Sequence, residues 1–190
     1  MSIGKQDFGF LSISVGLFMS FFTSAQEPVN AETKENLKGN QMFLVRHFEK
    51  QSPNTQNKHT KDPELTEQGQ ARAQTLASFL AEKNITSVFS TNYKRTLQTA
   101  LPTAEHHGIN ITSYNPNELA EFALQLSALA GAGKGNILVV GHSNTTPQLL
   151  KLLGGPDKVL SEGDYGDLFF LSGFGSEKAV ANSFQHVMIE

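Results

Sequence analysis

Two histidines in this 190-residue chain follow directly on unbroken apolar runs. Met42-Phe43-Leu44-Val45 leads into Arg46-His47, and Ile137-Leu138-Val139-Val140 leads into Gly141-His142. Short continuous apolar runs fit strands buried on both faces. In open α/β sheets ligands bind beyond the carboxyl ends of the strands, near the point where strand order switches. Two histidines at two such ends therefore converge on one pocket if their strands are neighbours. A lone histidine is more often a hydrogen-bonded structural residue, but two in matching positions reverse that preference. His59, His106, His107 and His186 lack this placement and are assigned to loops and surface.

Arginine usage adds to the pattern. The chain has twelve lysines and only three arginines, Arg46, Arg72 and Arg95. Arg46 abuts the first histidine, and Arg95 follows the apolar pair Val88-Phe89 by a few residues. Arg72 reads as a surface residue of a helix. A planar guanidinium binds phosphate oxygens through two parallel hydrogen bonds, which a lysine ammonium cannot reproduce. Two histidines and two arginines at strand ends describe a pocket for an oxyanion, above all phosphate. A helix beginning near Asn144-Thr145-Thr146 would add backbone N–H groups favourable to an anion.

The elements that must position these residues can be read from periodicity. Thr66 caps a helix running to about Lys83, with Ala73, Leu76, Phe79 and Leu80 near helical spacing. Val88-Phe89 marks a second strand, and a helix follows from about Thr96, with Pro102 ending or kinking it. Ile109-Asn110-Ile111 suggests a third strand. A helix beginning at Pro116 carries the stripe Leu119, Phe122, Ala123, Leu126 and Leu129, and the segment Gly131 to Gly135 stops it. A further helix spans roughly Thr146 to Leu153, ending at Gly154-Gly155. Asp167–Leu171 and Phe184–Ile189 read as strands, and the polar stretch 51–64 as a loop. Strands alternating with helices predict a three-layer α/β/α sandwich with a mostly parallel central sheet.

The N-terminus has a different character. Lys5 precedes a stretch from Phe8 to Phe22 that holds five of the fourteen phenylalanines, and Thr23-Ser24-Ala25 supplies small residues before Gln26. That layout is the one expected of a secretory signal peptide over residues 1–25; the other reading is an uncleaved anchor. Residues 26–40 are polar, contain Pro28 and Gly39, and are expected to form a flexible leader to a domain over 41–190. The protein is accordingly expected in the periplasm or outside the cell, without stable membrane insertion once the signal is removed.

Composition narrows the function. With no cysteine, disulfides, thiolate metal sites and cysteine nucleophiles are excluded. A net charge of −3, no basic run and no tryptophan argue against a nucleic-acid partner. An apolar content of 38% is that of a folded domain, and 190 residues suit one core. The key histidines lack HxH or HxxxH spacing for a metal.

Four segments together resemble the histidine phosphatase superfamily, also called phosphoglycerate mutase-like. They are Arg46-His47-Phe48-Glu49-Lys50, Asp62-Pro63-Glu64-Leu65-Thr66-Glu67-Gln68-Gly69, Tyr93-Lys94-Arg95-Thr96-Leu97-Gln98-Thr99-Ala100, and Val139-Val140-Gly141-His142-Ser143. An isolated RHxE would mean little; four motifs in this order and spacing are specific. The resemblance spans about residues 41 to 153, and the length is similar to the compact members, including protein phosphohistidine phosphatases.

The resemblance implies that His47 attacks phosphorus to give a phosphohistidine, with Arg46, Arg95 and His142 around the non-bridging oxygens and water hydrolysing the intermediate. It implies no cofactor and no metal. Glu118 is by position the general acid, with Glu121 second; either also suits a carboxylate favoured at a helix start. Glu49 would support the pocket. Many members carry an asparagine six residues after the nucleophile, where this chain has Pro53 followed by Asn54. The expected partner is a phosphorylated small molecule, glycan or phosphoprotein. A non-catalytic phosphate-binding module and a phosphoglycerate mutase-type phosphotransferase are the alternatives.

Overall fold

The computed structural model describes residues 40–52, 61–174, 181 and 183–190. The expected signal peptide, nearly all of the leader, Pro53, Asn54 and His59 lie outside the described residues. In chain order the elements are β1 (Met42–Arg46), α1 (Glu67–Leu80), β2 (Ile85–Ser90), α2 (Lys94–His107), β3 (Ile111–Ser113), α3 (Leu119–Gly131), β4 (Asn136–Gly141), α4 (Thr145–Leu152), β5 (Asp167–Ser172) and β6 (Ser183–Met188). The six strands form one sheet in the order β3-β2-β4-β1-β5-β6. β1 to β4 run parallel, β5 is antiparallel to β1, and β6 is antiparallel to β5.

Alternation along β1 explains the layering. Met42 and Leu44 face a cluster with Leu119, Phe122 and Leu126 of α3 and Leu149 and Leu150 of α4. Phe43 and Val45 face the opposite cluster, with Ala73, Leu76 and Leu80 of α1 and Ala100 and Ala104 of α2. Ile137 and Val139 divide from Leu138 and Val140 of β4 in the same way. Successive strand side chains point to opposite faces, so a strand covered on both sides must be apolar at every position. The three-layer α/β/α architecture with a mostly parallel sheet is the one the alternation of elements predicts.

Local signals are met with a few displacements. Thr66 caps α1, its side chain accepting from the Gly69 amide at 3.1 Å. Pro102 does not end its helix, since α2 continues to His107 and closes on Gly108 at φ 64°. Proline inside a helix costs about 3 kcal/mol. The buried face of Thr99, Ala100, Thr103 and Ala104 on either side of it offsets that cost. α3 begins at Leu119 rather than at Pro116, which lies in a preceding turn. His106 and His107 lie in the last turn of α2, and His186 lies within β6, hydrogen-bonded to Asp167 at 2.7 Å; none of the three is in a loop.

Candidate active site

Strand pairing brings the two histidines together. β1 and β4 are neighbours in register from Met42↔Ile137 to Arg46↔Gly141, so His47 and His142 are the next residue on each strand beyond the last pair. The His47 amide donates to the Gly141 carbonyl at 2.9 Å, and the two imidazole centroids are 5.5 Å apart at 70°. On the other side of β4, β2 pairs up to Ser90↔Val140, which places Thr91 at the same end of the sheet. Among these side chains opens a cavity of 370 Å³, lined by residues that include His47, Lys50, Tyr93, Arg95, Asn117, His142, Ser143 and Glu162.

His47 is buried, and its Nδ1 lies 2.7 Å from the Phe48 carbonyl oxygen. A carbonyl only accepts, so Nδ1 carries the proton and Nε2 the lone pair. Burial, then the charges of Arg46 and Arg95, hold its pKa down at about 3 against an upward pull from the Phe48 hydrogen bond. The ring is therefore neutral at neutral pH, with a lone pair on Nε2. His142 is held at about 4, by burial first and then by Arg95 and Arg46.

Arg95 enters from the start of α2. One terminal nitrogen is 3.4 Å from His142 Nδ1 and the other 3.5 Å from Asp62, while the guanidinium covers the Tyr93 ring at 4.5 Å. Asp62 also accepts from the Lys94 amide at 3.0 Å, fixing the start of the helix that carries Arg95. Gly141 allows the tight turn before His142. A Cβ there would meet the hydroxyls of Thr146, Thr145 and Tyr114 at 2.8 to 2.9 Å, and Thr145 Oγ1 accepts from the His142 amide at 2.9 Å.

Arg46 is used differently from Arg95. Its guanidinium donates to the carbonyls of Ser161 at 2.5 Å, Asp164 at 2.9 Å and Glu162 at 3.2 Å, pairs with the Glu162 carboxylate at 3.4 Å, and stacks 4.3 Å from the Tyr165 centroid. It lies under the site and anchors the segment 161–165, which does not place its terminal nitrogens on the cavity wall. The antiparallel β5 returns this segment to the carboxyl end of β1. Glu162, carried by it, faces the cavity and accepts from Ser143 Oγ at 2.9 Å. That bond and the Arg46 charge keep its carboxyl below the ordinary carboxylate value.

Glu118 does not line the cavity that holds His47. The turn before α3 delivers Pro116 and Asn117 to the cavity, whereas Glu118 and Glu121 line a neighbouring one with Tyr114 and Phe122. Arg72 is not a free surface residue: it pairs with Glu49 at 3.0 Å and donates to the Ile189 carbonyl, so Glu49 supports the site from behind rather than facing it. Lys50, Tyr93, Asn117 and Glu162 on the wall, and Thr91 behind His142, were not singled out as site residues from sequence. Thr91 follows the end of β2 as His47 follows β1, which is a signal that could have found it. Glu162 sits in a glycine-containing loop with no local pattern to mark it. Among the described residues no group of three or more His, Cys, Asp or Glu could hold a metal ion.

The family profile described as histidine phosphatase superfamily (branch 1) matches residues 42–125. No curated protein matches the chain by sequence. Among solved structures, the chain is similar to the protein histidine phosphatase SixA complexed with tungstate, at 16% identity and a TM-score of 0.64 over 78% of this chain and 96% of that one. It is also similar to a mycobacterial glucosyl-3-phosphoglycerate phosphatase, at 14% identity and a TM-score of 0.60 over 78% and 97%. A SixA protein from Agrobacterium tumefaciens shares 21% identity at a TM-score of 0.54 over 77% and 97%. At these identities the likeness is one of fold. By its motifs, by the profile over residues 42–125 and by its fold, the chain is similar to members of the histidine phosphatase superfamily.

Proposed function

We propose that the chain is a phosphatase of the histidine phosphatase type, a reading its profile match and fold support, and that it hydrolyses phosphomonoesters or phosphohistidine through a phosphohistidine formed on Nε2 of His47, without a metal ion. The observation that carries this reading is the hydrogen bond from His47 Nδ1 to the Phe48 carbonyl, which leaves a neutral ring with its lone pair on the other nitrogen. Nε2 attacks phosphorus, the P–O or P–N bond to the leaving group breaks, and water then attacks the phosphohistidine to release inorganic phosphate and restore the ring.

Charge stabilisation falls to the surrounding donors. Arg95 and His142 face the equatorial oxygens, and Arg46 adds its charge from beneath His47, where it already lowers the pKa of both histidines. Positioned donors of this kind supply most of the catalysis in phosphoryl transfer, and removing one costs about 3 kcal/mol. With Glu118 turned into the neighbouring cavity, the site favours leaving groups that depart without a dedicated acid, of which the imidazole of a phosphohistidine is one. Signal-peptide character in residues 1–25 supports export, and hence a phosphorylated small molecule, glycan or phosphoprotein of the cell envelope as substrate.

The test is direct. The purified protein should hydrolyse an activated aryl phosphate in EDTA, and His47→Ala should abolish both turnover and the acid-labile phosphoprotein trapped by rapid acid quench. Full activity in His47→Ala, or dependence on added metal, would overturn the mechanism. Mass spectrometry of the exported protein should find Gln26 first; an intact Met1 in the membrane fraction would refute cleavage.

A further inference from the structure

Behind His142 lies a chain of hydroxyls. His142 Nε2 is 2.9 Å from Thr91 Oγ1, which is 3.0 Å from Thr96 Oγ1, which in turn is 2.9 Å from the carbonyls of both Thr91 and Tyr93. Thr91 and Thr96 are fully buried, so water cannot substitute in the chain. On the other edge of the ring, Nδ1 meets Arg95 Nη2 at 3.4 Å. A guanidinium has donors only and keeps its charge, so Nδ1 opposite it must present a lone pair. The proton of the neutral ring then sits on Nε2 and is donated to Thr91 Oγ1. Thr91 donates to Thr96, and Thr96 donates to a backbone carbonyl, so every hydroxyl has one donor and one acceptor partner.

Resting on the phosphatase reading, we propose that Thr91 is a positioning residue that holds His142 as the Nε2–H tautomer, so that His142 contacts a phosphoryl oxygen only after taking a second proton on Nδ1. Nε2 is committed to the threonine chain, so a ring contact to a phosphoryl oxygen must be made through Nδ1, in place of its present contact with Arg95 Nη2. An anionic oxygen there accepts but does not donate. Binding of a phosphoryl group is thereby coupled to conversion of His142 to imidazolium, the proton coming from solvent or carried in on the phosphate.

The groups around the ring agree with such a switch. Burial first, then Arg95 from α2 and Arg46 from the end of β1, oppose its charging; Asp62, from the loop before α1, and Glu162, from the loop before β5, favour it. The Tyr93 ring stands edge-on at 5.2 Å, and Thr145, on the first turn of α4, accepts from the His142 amide. An arriving phosphoryl group adds negative charge against Nδ1, neutralises the arginines and reverses the balance.

Nitrogen-15 NMR of the histidine-labelled full chain tests this without turnover. The free protein should show His142 with a protonated Nε2 and a bare Nδ1, and saturation with inorganic phosphate should convert both nitrogens to the protonated type. Thr91→Val should lose the fixed tautomer and weaken inhibition by inorganic phosphate by about tenfold, the scale of one hydrogen bond to a charged group, while Thr91→Ser should restore both. A free protein with the proton on Nδ1, or a His142 that stays neutral under saturating phosphate, would sink the proposal even if the variants misfold. Failure to trap a phosphoprotein would instead count against the catalytic reading, and leaves the resting tautomer measurable.

Discussion

Arg46 Nη1 stands 2.5 Å from the carbonyl oxygen of Ser161, 115 residues further along the chain. Together with the Glu162 and Asp164 carbonyls, this contact makes the arginine next to the proposed nucleophile the anchor of the loop that closes one side of the cavity. A lysine keeps the charge but has no planar fork with which to reach three carbonyls. Arg46→Lys is therefore expected to raise amide hydrogen exchange over residues 161–165 and to lower kcat/KM by more than tenfold, on the order of one lost charged donor. Unchanged exchange in that loop would show that the anchor is not holding it.

Acid should destabilise the protein in a window set by the two site histidines. Their ordinary value is 6.5, and the fold holds His47 at about 3 and His142 at about 4, chiefly by burial. Between these limits the unfolded chain binds protons that the native site refuses, so stability is complete above about 6.5 and falls as pH drops through that window. Tm measured from neutral pH to about 4 should fall, and His47→Gln should flatten part of the slope. An identical slope in the variant would contradict the depressed value.

Glu49 and Arg72 form a pair in which both side chains are less than one-fifth exposed, at 17% and 14%. Arg72→Ala removes that partner and the contact to the Ile189 carbonyl, leaving a largely buried carboxylate beside the residue that follows His47. We expect a loss of about 2 kcal/mol, below the range for a fully buried pair because solvent still reaches both groups. Urea unfolding of Arg72→Ala, Glu49→Gln and the double variant should show the double losing less than the sum of the singles. Additive losses would mean that the pair is not coupled.

Glu118→Gln distinguishes position in sequence from position in space. Glu118 lines the cavity beside Tyr114 and Phe122 rather than the one that holds His47. The substitution should change kcat/KM by no more than about twofold, as for surface positions in general. A loss of a hundredfold or more with a poor leaving group, absent with a good one, would restore it as proton donor.

Much of the fold was legible where one local physical demand governs. Thr66 reads as a cap because its hydroxyl oxygen satisfies an amide that the helix itself cannot, and it does so at Gly69. Of the two outcomes expected at Pro102, the end of the helix does not occur, because the local cost of a proline says nothing about the buried face on either side of it. Arg72 reads as surface because its partner Glu49 is distant in sequence and joins it only when α1 packs beside the end of β1.

The sequence by itself determined that Arg46-His47 and Gly141-His142 stand at the carboxyl ends of doubly buried strands, because only unbroken apolar runs survive between two helical layers. Tertiary structure decided the rest. Pairing of β1 with β4 sets the histidines side by side, the return of β5 turns Arg46 onto the 161–165 loop, and the turn at Pro116 sends Glu118 to another cavity. Burial leaves its mark on each residue in turn, whereas the direction of a side chain depends on which strand becomes its neighbour.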